Sequence, residues 1–199
     1  MTQPTTPADS QTKVEFLKSA IEEAQETNRF LDTKASILVA FESSLLVILV
    51  SILIDTEKLQ TIQTFLSQIP GGYMVFLIAY TILYVVTLIV QILISLKVVL
   101  PKESPESHVN TGDYQPRKLF FLHQTDSNGQ ITPSIAKYSA LLEQMSAQDI
   151  IAEYVFELQK LSYIRKVKND NLGLSFRILN GLIIGTVLFG LFFIAGMLL

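Results

Sequence analysis

One uninterrupted helical pattern over residues 12–54 constrains this chain more than any other feature. The segment contains no Pro and no Gly, the two residues that most disfavour a helix interior. One set of side chains recurs at alternating steps of three and four residues, which is the heptad spacing of a helix packed along one face. This seam consists of Val14, Leu17, Ile21, Ala24, Asn28, Leu31, Ala35, Leu38, Glu42, Leu45, Leu49 and Ile52. A helix of this length would extend roughly 65 Å, about twice the thickness of a bilayer core.

The two halves of this helix differ in character. Thr12 and Glu15 have the spacing of a capping box, which predicts the helix start. Residues 12–34 keep a charged outer surface and predict a cytosolic helix, whereas residues 35–54 are apolar on all faces and predict the first membrane span. Residues 1–11 are rich in Thr, Pro and Gln and predict a disordered tail.

The composition agrees with a membrane protein. Of 199 residues, 49% are hydrophobic and 17% are charged, and the mean hydropathy is +0.40, too apolar for an ordinary soluble domain. A net charge of −3 argues against nucleic-acid binding, which is typical of basic proteins. There is no cysteine, so disulfides and thiolate chemistry are excluded.

Two further spans are predicted. Residues 73–100 are apolar and end before Pro101, and residues 174–199 form the third span. A second heptad seam starts at Ala147 and passes Gly173 without a change of phase, which favours one long helix into the third span. A helix break at Gly173 is the alternative.

The remaining segments are an extracytoplasmic loop over residues 55–72 and a cytosolic module over residues 101–173. Within the module, the apolar run 119–123 followed by Asn128-Gly129 predicts a strand or an apolar plug and then a tight turn. Thr132-Pro133 precede a predicted helix from Ser134 to about Met145. Ser146 and Asp149 form a second capping box at the start of the long helix. The predicted fold is all-α, with three transmembrane helices, two of which extend into a small cytosolic helical module.

Basic residues set the expected orientation. Of 15 Lys and Arg residues, only Lys58 lies in the loop 55–72, four lie in residues 1–34 and eight lie in residues 101–173. The positive-inside rule therefore predicts a cytosolic N-terminus and an extracytoplasmic C-terminus.

Polar residues inside the predicted spans are candidate functional residues. Counting residues from the membrane surface places four of them at similar depth, and all three spans contribute to this layer: Glu42, Gln91, Arg177 and Asn180. Such residues are costly in lipid and commonly functional, so a water path or gate is one interpretation. The alternative is structural, with Glu42 paired to Arg177 and the amides satisfying one another.

Candidate ligand residues lie closer to the predicted membrane surface and in the module. Arg165 and Lys168, near the level of Arg29, either hold a ligand phosphate or anchor the chain to anionic lipid. The rings of Tyr138, Tyr114, Phe120 and Phe121 either stack on a base or belong to the core. Asn28 in the seam is interpreted as a polar layer that fixes helix register, and a ligand role is the alternative.

No catalytic pattern is present in the sequence. His108 and His123 lack metal-ligand spacing with carboxylates, and there is no phosphate-binding loop, dinucleotide motif or nucleophile elbow. The sequence therefore predicts a protein that is not an enzyme and that needs no metal or cofactor.

The stretch Asn28-Arg29-Phe30-Leu31-Asp32-Thr33-Lys34-Ala35-Ser36, with Asp32 and Lys34 at the start of a span, resembles the Pycsar transmembrane effectors, small bacterial antiphage membrane proteins. The later half is similar in order and spacing over Phe120-Phe121, Tyr138, Leu142, Ser146, Leu158, Leu161 and Lys168. The resemblance covers residues 12–198. It departs at Leu122-His123-Gln124, where the family often has Gly and an acidic residue.

This resemblance implies an antiphage effector of the bacterial inner membrane. Such proteins sense cyclic UMP or cyclic CMP from a partner nucleotide cyclase, assemble as homo-oligomers and damage the membrane, which causes abortive infection. The resemblance thus implies that the cytosolic module over residues 101–173 is the sensor module. The alternative is an oligomeric membrane scaffold, or an ion-conducting channel gated by a protein partner.

Overall fold

A computed structural model describes residues 9–57, 60, 64, 71–100, 104–117, 120, 124–125, 129 and 131–197. Its helices are α1 (Ser10–Ile54), α2 (Gly71–Val99), α3 (Ile135–Glu143) and α4 (Ala147–Met197), with one 3-10 turn (Pro105–His108). Two strands of two residues each, β1 (Gln124–Thr125) and β2 (Ile131–Thr132), form a small antiparallel ladder. The predicted all-helical membrane fold is confirmed. Three of the described helices are long and apolar enough to cross a membrane: α1, α2 and α4.

Helix α1 begins two residues earlier than the sequence predicted. The backbone N–H of Thr12 donates to Asp9 Oδ1 at 2.7 Å, so Asp9 caps the helix, and this hydrogen bond lowers the pKa of the Asp9 carboxyl. The capping box assigned to Thr12 and Glu15 is therefore corrected, because an acidic side chain just upstream already serves the first turn. Of the predicted disordered tail, residues 1–8 lie outside the described part of the chain.

Helix α4 is continuous over 51 residues, which decides against a break at Gly173. Its start confirms the second capping box. The Ser146 backbone N–H donates to Asp149 Oδ2 at 2.9 Å, and the Asp149 N–H donates to Ser146 Oγ at 3.1 Å. Hydrogen bonds from the Ser146 backbone and hydroxyl lower the pKa of Asp149.

The segment before α4 contains the short elements. Ser134 caps α3 by accepting from the Lys137 N–H at 3.5 Å, as expected for a helix that starts at this serine. In the ladder, Gln124 pairs with Thr132, so the described pairing lies just after the predicted strand 119–123. Most of that run, including Phe121 and His123, lies outside the described residues, as do Asn128 and Lys58. Gly129 has φ +75, in the left-handed region that a tight turn demands.

The chain divides into two compact units, and α1 and α4 contribute to both. We call Met1–Arg29 with Glu103–Lys166 the polar unit, and Phe30–Lys102 with Val167–Leu199 the membrane unit. The core of the polar unit contains Ile21, Ala24 and Leu161, with Tyr154, Leu158 and Ile164 packed against them. The core of the membrane unit contains Leu31, Ala35, Leu38, Val98, Leu172 and Leu179.

These cores confirm the α1 seam over much of its length. Every seam residue from position 17 to position 42 is buried: Leu17, Ile21, Ala24, Asn28, Leu31, Ala35, Leu38 and Glu42. The seam thus marks the buried face of α1 in each unit.

Candidate functional site

A cluster of four buried polar side chains joins the three long helices inside the membrane unit. Its members are Glu42 of α1, Gln91 and Ser95 of α2, and Ser175 of α4, each with 0% of its surface exposed. We call this set the buried polar cluster. It lies among apolar residues, so its members depend on one another for hydrogen bonds.

Glu42 is the centre of the hydrogen bonding. Gln91 Nε2 donates to Glu42 Oε1 at 2.7 Å and Ser95 Oγ donates to the same oxygen at 3.2 Å. Ser175 Oγ lies 3.5 Å from it, and the two serine hydroxyls are 2.6 Å apart. Gln91 Nε2 also approaches the Ser175 carbonyl oxygen at 3.4 Å. Each of the three helices therefore contributes at least one donor or acceptor.

Helical spacing explains why these residues meet. Gln91 and Ser95 are four residues apart and therefore lie on one face of α2. Ser175 lies three residues after Leu172 and four before Leu179, both buried in the membrane core. Glu42 follows Leu38 by four residues along the α1 seam. The helix faces that bury leucine at other levels of the membrane unit therefore bury polar side chains at the level of this cluster.

The predicted polar layer is corrected in two of its four members. The structure brings Glu42 and Gln91 together, but Asn180 is exposed and Arg177 donates from Nε to the carbonyl of Gly173 at 3.3 Å on the exposed surface of α4. Residue 177 is two positions after Ser175, which turns it by about 200° around the helix, away from the cluster. The proposed Glu42–Arg177 pair is therefore wrong.

Ser95 and Ser175 are the functional candidates that the sequence reasoning missed. The sequence contained evidence for both residues. Ser175 lies on the heptad seam of α4, and Ser95 lies one helical turn after Gln91. Depth in the membrane alone was an insufficient criterion, since it ignores the direction in which a side chain leaves the helix.

The polar unit has its own buried carboxylate, Glu153, which is 2% exposed. Its Oε1 accepts from the Tyr114 hydroxyl at 2.6 Å and from the backbone N–H of Arg117. Burial raises the pKa of the Tyr114 hydroxyl, and the hydrogen bond to Glu153 raises that pKa further. Glu153 thus attaches the segment before α3 to helix α4.

A pocket of about 190 Å³ lies beside Glu153 in the polar unit. Among the predicted ligand residues, Tyr138 lines it, whereas Arg29 and Arg165 are exposed and are not among its lining residues. The lining consists of Phe120, Tyr138, Leu142, Met145, Ile150, Glu153 and Tyr154. The Phe120 and Tyr154 rings meet edge to face with their centroids 4.8 Å apart.

Asn28 lies in the packed face of α1, as predicted for a polar seam residue. It is 7% exposed, and its Nδ2 donates to the Leu161 carbonyl at 3.3 Å. His108, one of the two histidines, stacks on the Tyr163 ring with centroids 4.3 Å apart. Among the described residues, no group of three or more His, Cys, Asp or Glu side chains has the arrangement of a metal site.

Comparison with protein families identifies the family to which this chain belongs. A family model described as the Pycsar effector protein domain matches residues 16–196. The chain belongs to the Pycsar effector family. No curated protein and no solved structure gives a match. The matched interval includes the buried polar cluster, the pocket and nearly all of the three candidate spans. The chain is therefore an antiphage defence effector with a transmembrane domain.

The structure shows what the Asp32-to-Ala35 stretch contributes to this effector. Lys168 Nζ donates to Asp32 Oδ1 at 2.6 Å, so a predicted ligand residue binds an acidic residue of the stretch that carries the family resemblance. Lys34 Nζ lies 4.2 Å from the centre of the Phe30 ring. Ala35 is fully buried in the membrane core. The stretch therefore joins α1 to α4 within the membrane unit of this Pycsar effector.

A double-mutant cycle on Asp32 and Lys168 should give a coupling free energy of about 0.5–1 kcal/mol. The value is modest because the two side chains remain 38% and 14% exposed, and partly solvated ion pairs contribute little. Asp32→Asn, Lys168→Gln and the double variant of the effector would be compared by thermal unfolding in detergent. Strictly additive effects of the two substitutions would show that the ion pair does not stabilise the folded protein.

Proposed function

We propose that this Pycsar effector responds to cyclic UMP or cyclic CMP made by a partner nucleotide cyclase during phage infection, and that it then impairs the bacterial inner membrane and causes abortive infection. The observation that carries the proposal is the family match over residues 16–196, which includes most of the polar unit and the membrane unit. The nucleotide acts as an activating ligand, and no other cofactor is invoked.

The orientation proposed for the chain follows from its basic residues. Four of the 15 Lys and Arg residues lie in residues 1–34 and eight lie in residues 101–173, against one in residues 55–72. This distribution favours a cytosolic polar unit and an extracytoplasmic C-terminus. In that orientation the polar unit meets a nucleotide produced in the cytosol.

The pocket beside Glu153 is the proposed site for the pyrimidine base. Aromatic rings stack on bases without regard to sequence, and Tyr138, Phe120 and Tyr154 all line this pocket. Glu153 lines the pocket, and its Oε2 is buried and has no hydrogen-bond partner among the described residues. A ligand N–H that reached this oxygen from the pocket would satisfy a polar atom that the fold leaves without a donor. Both features suit a flat aromatic ligand with a hydrogen-bond donor on its edge.

The phosphate of the nucleotide needs a basic partner, for which Arg29 and Arg165 are the proposed residues. Both side chains are exposed, and guanidinium groups bind two phosphate oxygens at once. Lys168 is a weaker candidate than the sequence suggested, because its ammonium group already binds Asp32. The alternative role for Arg165, binding to anionic lipid, predicts that Arg165→Ala leaves nucleotide affinity unchanged.

Tyr138→Ala is expected to weaken cyclic pyrimidine nucleotide binding by about tenfold or more, because base–aromatic stacking contributes roughly 1–3 kcal/mol. Isothermal titration of the full chain in detergent, with cyclic UMP and cyclic CMP, would measure the change. The control is Val155→Ala, which removes a 38% exposed apolar side chain of the polar unit that does not line this pocket. Equal losses in both variants would argue against the pocket as the base site.

Dye release from proteoliposomes tests the proposed effect on the membrane. Release that depends on cyclic UMP or cyclic CMP, and not on a cyclic purine nucleotide, is the expected result. A preparation shown to be oligomeric that releases no dye with either pyrimidine nucleotide would count against the proposal.

Assembly into a homo-oligomer is part of the proposal. The polar unit exposes large apolar side chains, with Phe16 70% and Ile135 88% exposed, and such surfaces favour association. The same observation favours the second candidate function, an oligomeric scaffold or an ion-conducting channel gated by a protein partner. Stable co-purification of another protein, without nucleotide-dependent leakage, would support that second function.

A further inference from the structure

The two carboxyl oxygens of Glu42 differ in their hydrogen-bond partners. Polar atoms of all three other side chains of the buried polar cluster lie near Oε1, at 2.7, 3.2 and 3.5 Å. Gln91 and one serine donate to it at once, because the 2.6 Å contact between the two serine hydroxyls uses the hydrogen of the other serine. Oε2 is buried and has no hydrogen-bond partner among the described residues. An ionised carboxylate shares its charge between two equivalent acceptor oxygens, and both require donors when they are buried.

This pattern is the one expected of a neutral carboxylic acid. In the acid form one oxygen is a carbonyl that accepts and the other carries a hydrogen that donates. Oε1, with its three neighbours, matches the carbonyl. Oε2, which receives no donor, matches the hydroxyl.

Gln91 supplies the missing acceptor. Its Nε2 already donates to Glu42 Oε1, while its own Oε1 is buried and has no donor among the described residues. A carboxylic acid and a primary amide can form a cyclic pair, in which the amide N–H and the acid O–H each donate to the other group. In such a pair one proton on Glu42 Oε2, donated to Gln91 Oε1, would satisfy both of the buried oxygens that the cluster otherwise leaves without partners.

The charged groups of the surrounding helices do not neutralise Glu42. Those nearest to the cluster along each helix are Lys34 on α1, Lys97 on α2, and Lys168, Asp170 and Arg177 on α4. Lys34 contacts the Phe30 ring, Lys168 binds Asp32 and Arg177 donates to the Gly173 carbonyl. Lys97 and Asp170 are exposed. All described partners of Glu42 are uncharged side chains.

We propose that the buried polar cluster is a proton-binding site, in which Glu42 holds one proton between its Oε2 and Gln91 Oε1. The bound proton keeps the three spans packed around an uncharged cluster. Loss of the proton leaves a carboxylate without a counter-charge among apolar side chains, which favours separation of the helices. The proposal needs only the placement of these helices in a membrane and is independent of the nucleotide response.

Glu42→Gln is the deciding variant, because glutamine copies the neutral acid. Its carbonyl can replace Oε1, and its N–H can donate to Gln91 Oε1 where the acid places its proton. Wild type should lose thermal stability in detergent as the pH is raised from about 4.5 to about 9.5, because separated helices let Glu42 ionise and release its proton once the pH exceeds the ordinary range of a glutamate. The Glu42→Gln protein should be as stable as wild type at the lower pH and should show a smaller loss on alkaline titration.

Two further measurements complete the test. Glu26→Gln changes an exposed carboxylate on the same helix and should retain the alkaline loss of wild type. Infrared spectra should contain a protonated-carboxyl carbonyl band that disappears in Glu42→Gln and remains in Glu26→Gln.

Three results would overturn the proposal. One is an alkaline loss of stability that is equal in wild type and Glu42→Gln. Another is a Glu42→Gln protein that is much less stable than wild type at every pH, which would mean that the cluster requires a charged carboxylate. The third is selective stabilisation of wild type by sodium at constant pH and ionic strength, which would assign the site to a metal cation instead of a proton.

Discussion

Replacing Glu153 with alanine is expected to lower the free energy of unfolding of the polar unit by about 2–4 kcal/mol. The Glu153 side chain is 2% exposed and accepts hydrogen bonds from both the Tyr114 hydroxyl and the Arg117 backbone N–H. Alanine leaves both donors without their acceptor and removes the attachment between α4 and the segment before α3. Losing an acceptor for partly buried donors costs more than the net contribution of the hydrogen bonds themselves.

Hydrogen exchange of the full chain in nanodiscs would measure this effect without a requirement for two-state unfolding of the whole protein. Amides of residues 109–117 and of the first turns of α4 should exchange faster in Glu153→Ala. Glu153→Gln retains an acceptor oxygen and should lose much less protection. Glu143→Ala, at an exposed position of α3, is the matched control. Similar exchange in Glu153→Ala and Glu143→Ala would mean that the buried carboxylate is dispensable for folding.

The architecture was accessible from the sequence because its strongest signals are local. Heptad spacing identified the buried face of α1 from Leu17 to Glu42, and unbroken phase across Gly173 identified the continuity of α4. Both inferences depend only on helix geometry, in which side chains three and four residues apart share a face. The Ser146–Asp149 capping box is local in the same sense, since four consecutive residues contain the whole interaction.

Partners between helices were less accessible. Residue counts from the membrane surface predicted that Arg177 and Asn180 of α4 belong to the polar layer. In the structure the α4 residue in the buried polar cluster is Ser175, which is smaller and uncharged but lies on the buried face. A charged residue in a span is an obvious functional candidate, yet its long side chain can extend to the surface, as that of Arg177 does. Membrane interfaces favour small residues that let helices approach closely, so the seam position of Ser175 was the better signal.

Glu153 and the pocket beside it were inaccessible for a different reason. The donors to Glu153 come from residues 114 and 117, in a segment without regular secondary structure. No periodicity predicts where such a segment packs, and a glutamate in a helix is normally a solvated residue. Tyr138 was a candidate because of its aromatic ring, but its position beside Glu153 required the folded chain.

Replacing Ala35 with leucine is expected to destabilise the membrane unit by about 1–3 kcal/mol. Ala35 is 0% exposed and belongs to the core formed with Leu31, Leu38 and residues of the other two long helices. Ala35 has no exposed surface, so the added carbons of leucine must displace its neighbours. Packed cores respond to such overpacking by shifting backbone or straining rotamers. The last residue of the Asp32-Thr33-Lys34-Ala35 stretch is thus expected to be alanine for steric reasons.

Ala40→Leu is the matched control, since it makes the same change on an exposed face of the same helix. Its thermal unfolding temperature in detergent should stay close to that of wild type, whereas that of Ala35→Leu should fall. Helix propensity cannot explain such a difference, because both variants exchange the same two residues within α1.

Ala35→Leu should also impair nucleotide-dependent dye release if close packing at this level is required for the response. Equal unfolding temperatures for the two variants would mean that α1 does not pack closely against its neighbours at residue 35. The ion pair between Asp32 and Lys168, one turn away, would then be the stronger restraint on the two helices.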